Sequence, residues 1–245
     1  VILALLMVVT VLSAPPARAE LPRAPQRALT DNLVGAYHLD NTNMNSIDSS
    51  DMHPRGGNLS LTHTSKLGTY SAGFYDQSDS FDDFIDSPVS NGNFTVAVWV
   101  KYPNALPTRE TVIIGEAMGG YTAAALSWRV WFDPSVNKIK FSVSDGTTIT
   151  TLTTSASLTS GSWNFVSVWK SSSQIGLRVN ASSDTQSYSS SLNYNSASES
   201  LTFGGSYWAG PFSYTAEMDA DELLIWSRSL STPEIDEVYS FGVGC

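Results

Sequence analysis

Ala220–Asp221–Glu222–Leu223–Leu224–Ile225–Trp226–Ser227–Arg228–Ser229–Leu230 reads as a strand with two apolar faces: Leu223 and Ile225 project to one side of the pleat, Leu224 and Trp226 to the other. Such a strand needs cover on both sides, which places it inside a layered β structure. Ser231–Thr232–Pro233–Glu234–Ile235–Asp236–Glu237–Val238–Tyr239 follows. Thr232 is read as a helix N-cap with Pro233 at the first helical position, where its missing N–H costs nothing. Glu234, Asp236 and Glu237 suit the positive end of that helix. One short helix therefore closes the domain.

Upstream, the pattern is of short alternating runs separated by turn residues. Phe94, Val96, Val98 and Val100 alternate with Thr95, Ala97 and Trp99 after an Asn91–Gly92 turn. Lys138–Ser144 and Thr147–Leu152 flank Asp145–Gly146, the strongest hairpin signal in the chain. Trp163–Lys170 and Gln174–Asn180 pair across Ser171–Ser173. The Ser/Thr-rich tracts Thr147–Ser160 and Ser182–Ser200 are interrupted by apolar residues, and read as solvated edge strands and loops. Strands at this spacing, with no long helical period, predict an all-β fold: an antiparallel β-sandwich of the jelly-roll kind with one short C-terminal helix.

The 245 residues are 42% hydrophobic and 15% charged, which suits one domain with a full core. A net charge of −10 disfavours nucleic acid and anionic lipid surfaces as partners. Val1–Leu12 is apolar apart from Thr10, and Ala17–Arg18–Ala19 offers a small-x-small cleavage pattern. Residues 1–19 are thus read as a secretory signal, too short to span a bilayer, 20–32 as a linker and 33–242 as the domain. Export places the mature chain in the extracellular medium or at the cell surface. Cys245 is the single cysteine, so no internal disulfide forms.

Several segments, in order, carry a resemblance. Leu33–Asp40 looks like an opening strand and Ile47–Asp48–Ser49–Ser50 with Gly56–Gly57 like the loop after it. Gly73–Phe74 and Phe81–Ile85, then Phe94–Lys101, Gly161–Val166, Leu201–Gly205 and the closing strand continue the series. Together they resemble laminin-G-like domains of the concanavalin A-like lectin/glucanase superfamily, over about Leu33–Gly242. The resemblance implies a concanavalin A-like jelly roll, and a function drawn from lectins, adhesion modules, sugar-binding domains and glycanases.

It also implies candidate sites. A structural calcium ion (Ca²⁺) in such folds lies between an early Asp-bearing loop and the Asp opening the last strand, here Asp48 and Asp221. Glu217–Met218–Asp219–Ala220–Asp221–Glu222 resembles the carboxylate motif of laminarinase/lichenase-type glycoside hydrolases, with Glu217 and Glu222 as the working pair. Those two differ by an odd number, so a β-bulge is needed to bring them onto one face. Sugar recognition calls for exposed rings beside polar groups. Tyr207 and Trp208, in the Gly/Pro-containing stretch Gly204–Phe212, and Trp131, in a strand opposite in parity to Trp128, are the candidate ligand-binding residues. Trp99, Trp163, Trp169 and Trp226 are expected in the core, His38 in a structural role, and His53 and His63 at the surface. No Gly-x-Ser-x-Gly or paired-histidine motif is present. The expectation is an exported, non-catalytic module that recognises a glycan or an extracellular protein. A glycoside hydrolase using Glu217 and Glu222, and an adhesion or surface-assembly module of a longer protein, are the alternatives.

Overall fold

The computed structural model describes residues 27–40, 42, 46–47, 52–55, 60–75, 80–82, 92–117, 121–194, 200–205 and 217–241. Among them, in chain order, run α1 (Arg27–Thr30), β1 (Leu33–Tyr37), β2 (His53–Arg55), β3 (Ser60–Thr64), β4 (Tyr70–Phe74), β5 (Ser80–Asp82), β6 (Phe94–Lys101), β7 (Thr111–Ala117) and β8 (Leu126–Asp133). They are followed by β9 (Lys138–Ser144), β10 (Ile149–Thr153), β11 (Asn164–Lys170), β12 (Gln174–Val179), β13 (Ser182–Ser187), β14 (Ser200–Phe203), β15 (Met218–Trp226) and α2 (Thr232–Phe241). One antiparallel sheet has the order β13-β12-β11-β6-β15-β4-β3, with β1 also paired to β15. The other has the order β10-β9-β8-β7-β14-β5-β2. The sandwich expected from the alternation is the observed fold.

The alternating residues meet between the sheets. Val96, Val98 and Val100 of β6, Leu223 and Ile225 of β15, and Trp128, Val130 and Phe132 of β8 belong to one buried cluster. Phe74, Phe81 and Phe203 pack edge-to-face and stacked at one end of it. A second cluster lies on the outer side of the first sheet, where Ala97, Trp99, Phe165, Trp169, Leu224 and Trp226 are covered by Leu29, Leu230, Ile235 and Val238. Both apolar faces of β15 are accounted for, one by the opposing sheet and the other by the terminal helices.

Leu29, inside the stretch read as linker, is 3% exposed, and Trp226 donates its indole N–H to the Leu29 carbonyl at 2.6 Å. The helix α2 begins one residue earlier than its sequence suggests. Ser231 is its N-cap: Glu234 accepts from the Ser231 backbone N–H at 2.7 Å and from its hydroxyl at 2.8 Å, closing a capping box with Glu234 at the third helical position. The hairpin expected at Asp145–Gly146 forms, but through four residues, 145–148, since Ser144 pairs with Ile149; Gly146 has φ +91° and Asp145 Oδ1 accepts from the N–H groups of Thr147 and Thr148. Residues 1–26, including the region read as a signal, lie outside the described residues. Among the described residues no helix is long and apolar enough to cross a membrane.

Candidate functional site

The strand β15 organises the polar chemistry of the first sheet's outer face. Asp219, Ala220 and Asp221 stand opposite Lys101, Val100 and Trp99 of β6, whereas Leu224, Ile225 and Trp226 stand opposite Ala97, Val96 and Thr95. Three steps along β15 therefore match two along β6, a bulge with Glu222 in the left-handed region at φ 52°. The bulge resets parity, so Asp219 and Asp221 share the outer face with Leu224 and Trp226. It also lies where the other edge of β15 changes partner, from β4 at Met218–Ala220 to β1 at Leu223–Trp226.

Carboxylates staple that junction. Asp221 Oδ2 accepts from the backbone N–H groups of Lys66 and Leu67 at 2.7 and 2.9 Å, and Oδ1 from that of Glu222 at 3.0 Å. Asp40 Oδ1 accepts from the N–H groups of Thr69 and Tyr70 at 2.6 and 2.7 Å. Between them Gly68 has φ +65°, and a Cβ there would lie 2.1 Å from an Asp40 oxygen. The loop joining β3 to β4 is thus strapped by two acids at once. Glu222 holds His38 Nδ1 at 2.9 and 3.0 Å. That hydrogen bond, against the opposing effect of burial, raises the His38 pKa above its ordinary value. Burial pushes Asp221 up to about 7, in spite of the N–H groups it accepts.

One step along the same face, Asp219 gathers a second group. Its Oδ1 accepts from the Tyr75 hydroxyl at 2.5 Å and lies 3.3 Å from His63 Nδ1, while Oδ2 is 2.7 Å from Lys101 Nζ. His63 and Tyr75 stack with ring centroids 4.7 Å apart. They meet over Gly73, where a Cβ would lie 2.6 Å from both rings. Lys101 also sits over the Trp163 ring, 5.2 Å from its centroid. Desolvation, then the bond to Asp219, raises the Tyr75 pKa and keeps its hydroxyl a donor. Asp219 is 2% exposed, whereas His63, Tyr75, Lys101 and Trp163 are each half-buried. A buried carboxylate thus fixes an imidazole and a phenol on one side and an ammonium on the other, and the ammonium stands over a partly open indole.

The expected site residues fall as follows. Trp131 lies on the outer face of the second sheet, 7% exposed, with the Arg129 guanidinium 4.2 Å and the Lys140 ammonium 5.2 Å from its ring centroid. Its indole N–H donates to Ser142 Oγ at 3.0 Å. Trp128, of opposite parity, is in the core. Tyr207, Trp208 and Asp48 lie outside the described residues. Asp221, the described half of the expected calcium pair, accepts from three backbone N–H groups. Glu217 is exposed at the threshold of β15, and Glu222 is 7% exposed and committed to His38. The bulge demanded for that pair exists, at Glu222, yet Glu217 is exposed and Glu222 turns to His38, whereas Asp219 and Asp221, both before the bulge, share the outer face by ordinary alternation. Trp163, expected in the core, is partly open, while Trp99, Trp169 and Trp226 are buried.

His63, Tyr75, Lys101 and Trp163 went unrecognised as a group, because they come from β3, the residue after β4, the end of β6 and the approach to β11. The local signal was limited to Asp219 within its acidic run.

A family model for the concanavalin A-like lectin/glucanases superfamily matches residues 76–236. The chain belongs to that superfamily. No curated protein matches it. Among solved structures, this superfamily member is similar to the receptor binding domain of botulinum neurotoxin C/D mosaic serotype, with TM-score 0.63 and 15% identity over 85% of this chain and 51% of that one. It is also similar to the botulinum neurotoxin serotype D ligand binding domain in complex with N-acetylneuraminic acid (TM-score 0.64, 16% identity, 87% of this chain and 52% of that one). A third is the botulinum neurotoxin DC binding domain in complex with rat synaptotagmin II (TM-score 0.61, 13% identity, 85% and 51%). The chain spans about half the length of these structures, and the likeness is one of fold.

Proposed function

We propose that this domain is an exported, non-catalytic recognition module that binds carbohydrate on the outer face of the first sheet. The observation that carries the reading is the partly open Trp163 ring beneath the Lys101 ammonium, which Asp219 holds while it also fixes the His63 and Tyr75 side chains farther along the same face. The apolar face of a pyranose stacks on an indole, and its hydroxyls need pre-set polar partners around the ring. A buried carboxylate that holds those partners before the ligand arrives lowers the ordering cost of binding. The toxin domains of similar fold, described in complex with a sialic acid and with a protein, support recognition as the class of function. Binding without chemistry is favoured because Glu222 is committed to His38 and Asp221 to backbone N–H groups, leaving the motif without an open carboxylate pair.

The test is a glycan array probed with wild type, Trp163→Ala and Lys101→Met, followed by titration calorimetry on any sugar retained. Loss of signal in both variants with an unchanged melting temperature supports the site; wild-type signal in both refutes it. Trp131→Ala, Tyr207→Ala and Trp208→Ala, run beside them, ask whether those rings contribute. Laminarin and lichenan digestion addresses the hydrolase reading: reducing ends released by wild type and lost in Glu222→Gln would overturn the non-catalytic assignment.

A further inference from the structure

Two lysines stand over two indoles on the outer face of the first sheet. Trp99 of β6 lies opposite Phe165 of β11 and Asp221 of β15, and Lys101, two residues on, lies opposite Asp219. Trp163 directly precedes Asn164, the partner of Val100, so it stands beside Lys101 and diagonal to Trp99, a separation of roughly 7–8 Å. The Lys66 ammonium is 4.4 Å from the Trp99 ring centroid and the Lys101 ammonium 5.2 Å from that of Trp163. Trp99, Phe165 and Tyr239 pack together with centroids 5.3 to 5.6 Å apart, and Trp163 joins the same cluster at its rim. Trp99 and Phe165 are buried, Trp163 and Tyr239 half-buried and Lys66 exposed. The surface is therefore an aromatic floor, open at Trp163 and Tyr239, with an ammonium over each of its two indoles.

The two ammoniums differ in what neutralises them. Lys101 has Asp219 at 2.7 Å. Lys66 has the Trp99 ring and, among the described residues, no carboxylate within ion-pair distance. The acids around it are committed elsewhere: Asp221 to the Lys66 and Leu67 N–H groups, Asp40 to those of Thr69 and Tyr70, and Asp236 of α2 to Arg178. Glu217 is exposed but acts on Tyr75, across Asp219 from Lys101. No other lysine combines exposure, a ring beneath it and a missing counter-ion, since Lys140 is paired with Asp133, Lys138 donates to two carbonyls and a hydroxyl, and Lys170 is 5% exposed. The strap on residues 65–69 also fixes the backbone that carries Lys66, so an arriving anion does not have to order the loop.

We propose that the outer-face site takes a sugar that bears a carboxylate, its ring on Trp163 and its acid on Lys66. The inference rests on the carbohydrate reading of this face and deepens it. Lys101, neutralised by Asp219, is left to serve ring hydroxyls, whereas Lys66 supplies a charge that only an anionic group answers. A charge-assisted hydrogen bond is roughly twice as strong as one between neutral groups, so the acid discriminates against the matching neutral sugar. The chain as a whole carries −10 and repels dense polyanions, while the Lys66 contact acts at short range. The ligand is thus an oligosaccharide with a single acid, not a highly sulfated polymer.

The experiment is titration calorimetry of the whole protein against oligosaccharides ending in glucuronate, galacturonate or sialate, each beside the same compound with its carboxylate reduced to the alcohol. In at least one pair the acid binds tighter by on the order of tenfold. Lys66→Gln, which keeps the backbone N–H that Asp221 holds, removes that preference without moving the melting temperature, and Trp163→Ala weakens both members of the pair. Reduced forms that bind as tightly as the acids and depend on Trp163 overturn the inference and leave the carbohydrate reading standing. A preference that survives Lys66→Gln, or heparin binding tighter than every single-acid probe, overturns the inference too. Binding of neither form, or binding indifferent to Trp163→Ala, overturns both it and the reading beneath it.

Discussion

Replacing Asp221 with Asn changes how stability depends on pH, and the direction follows from the strap. In the folded chain Asp221 is fully buried and its pKa is pushed up to about 7, against 3.8 without that environment. Folding therefore takes up a proton between those values, and the stabilisation linked to it is complete below pH 3.8 and lost as pH rises through 7. The difference corresponds to about 4 kcal/mol across the window, or about 1.4 kcal/mol for each pH unit. Asn resembles the protonated acid: its oxygen keeps the two bonds from Lys66 and Leu67, and no charge is buried. Guanidinium unfolding of wild type and Asp221→Asn at intervals from pH 4 to pH 8 reads the effect as a difference between two proteins, in which titrations elsewhere cancel. The variant gains on wild type as pH rises, by up to about 4 kcal/mol at pH 8. A constant difference, or wild type gaining on the variant with pH, would refute the reasoning, since it would mean that the three N–H donors outweigh desolvation.

Three further outcomes are expected. In NMR titrations His38 has a pKa above 6.5, contributing stability that is present below that pH and lost as pH passes the raised value; in Glu222→Gln it falls, because burial then acts without the Glu222 bond. Gly176→Ala costs about 1–3 kcal/mol in denaturant unfolding, because a Cβ there would lie 2.0 Å from the Trp169 ring packed across the strand pair. Glu234→Ala costs about 1 kcal/mol through loss of the capping box and of the Arg228 contact at 2.7 Å, and a melting curve superimposable on wild type would remove the box as a stabilising element.

The sandwich was legible because its evidence is local. Alternation in Phe94–Lys101 and the Asp145–Gly146 turn each name a strand or a hairpin from adjacent residues, and Leu223 to Trp226 announce cover on both sides. What supplies the cover was less visible: the outer face of β15 is closed by α2 and by Leu29, from a stretch without apolar periodicity. The N-cap was misplaced by one residue because Ser231 and Thr232 both carry capping hydroxyls, and only the bonds to Glu234 separate them. Trp163 read as core because it opens an apolar run, but it precedes β11 and lies at the rim of the face.

The chain alone determined which residues of a strand share a face, where turns fall and that acids crowd Glu217–Glu222, for these depend on the two-residue period of the backbone and on turn chemistry within a few bonds. Tertiary structure decided which acids act together. One extra residue at Glu222 resets the parity of β15, so that Asp219 and Asp221 face outward with Leu224 and Trp226, and strand order brings His63, Tyr75 and Lys101 to Asp219, with Trp163 beside Lys101, and straps the 65–69 loop with Asp221 and Asp40. Register between strands separated by more than a hundred residues is set by closure of the whole core, a collective energy that no local pattern encodes.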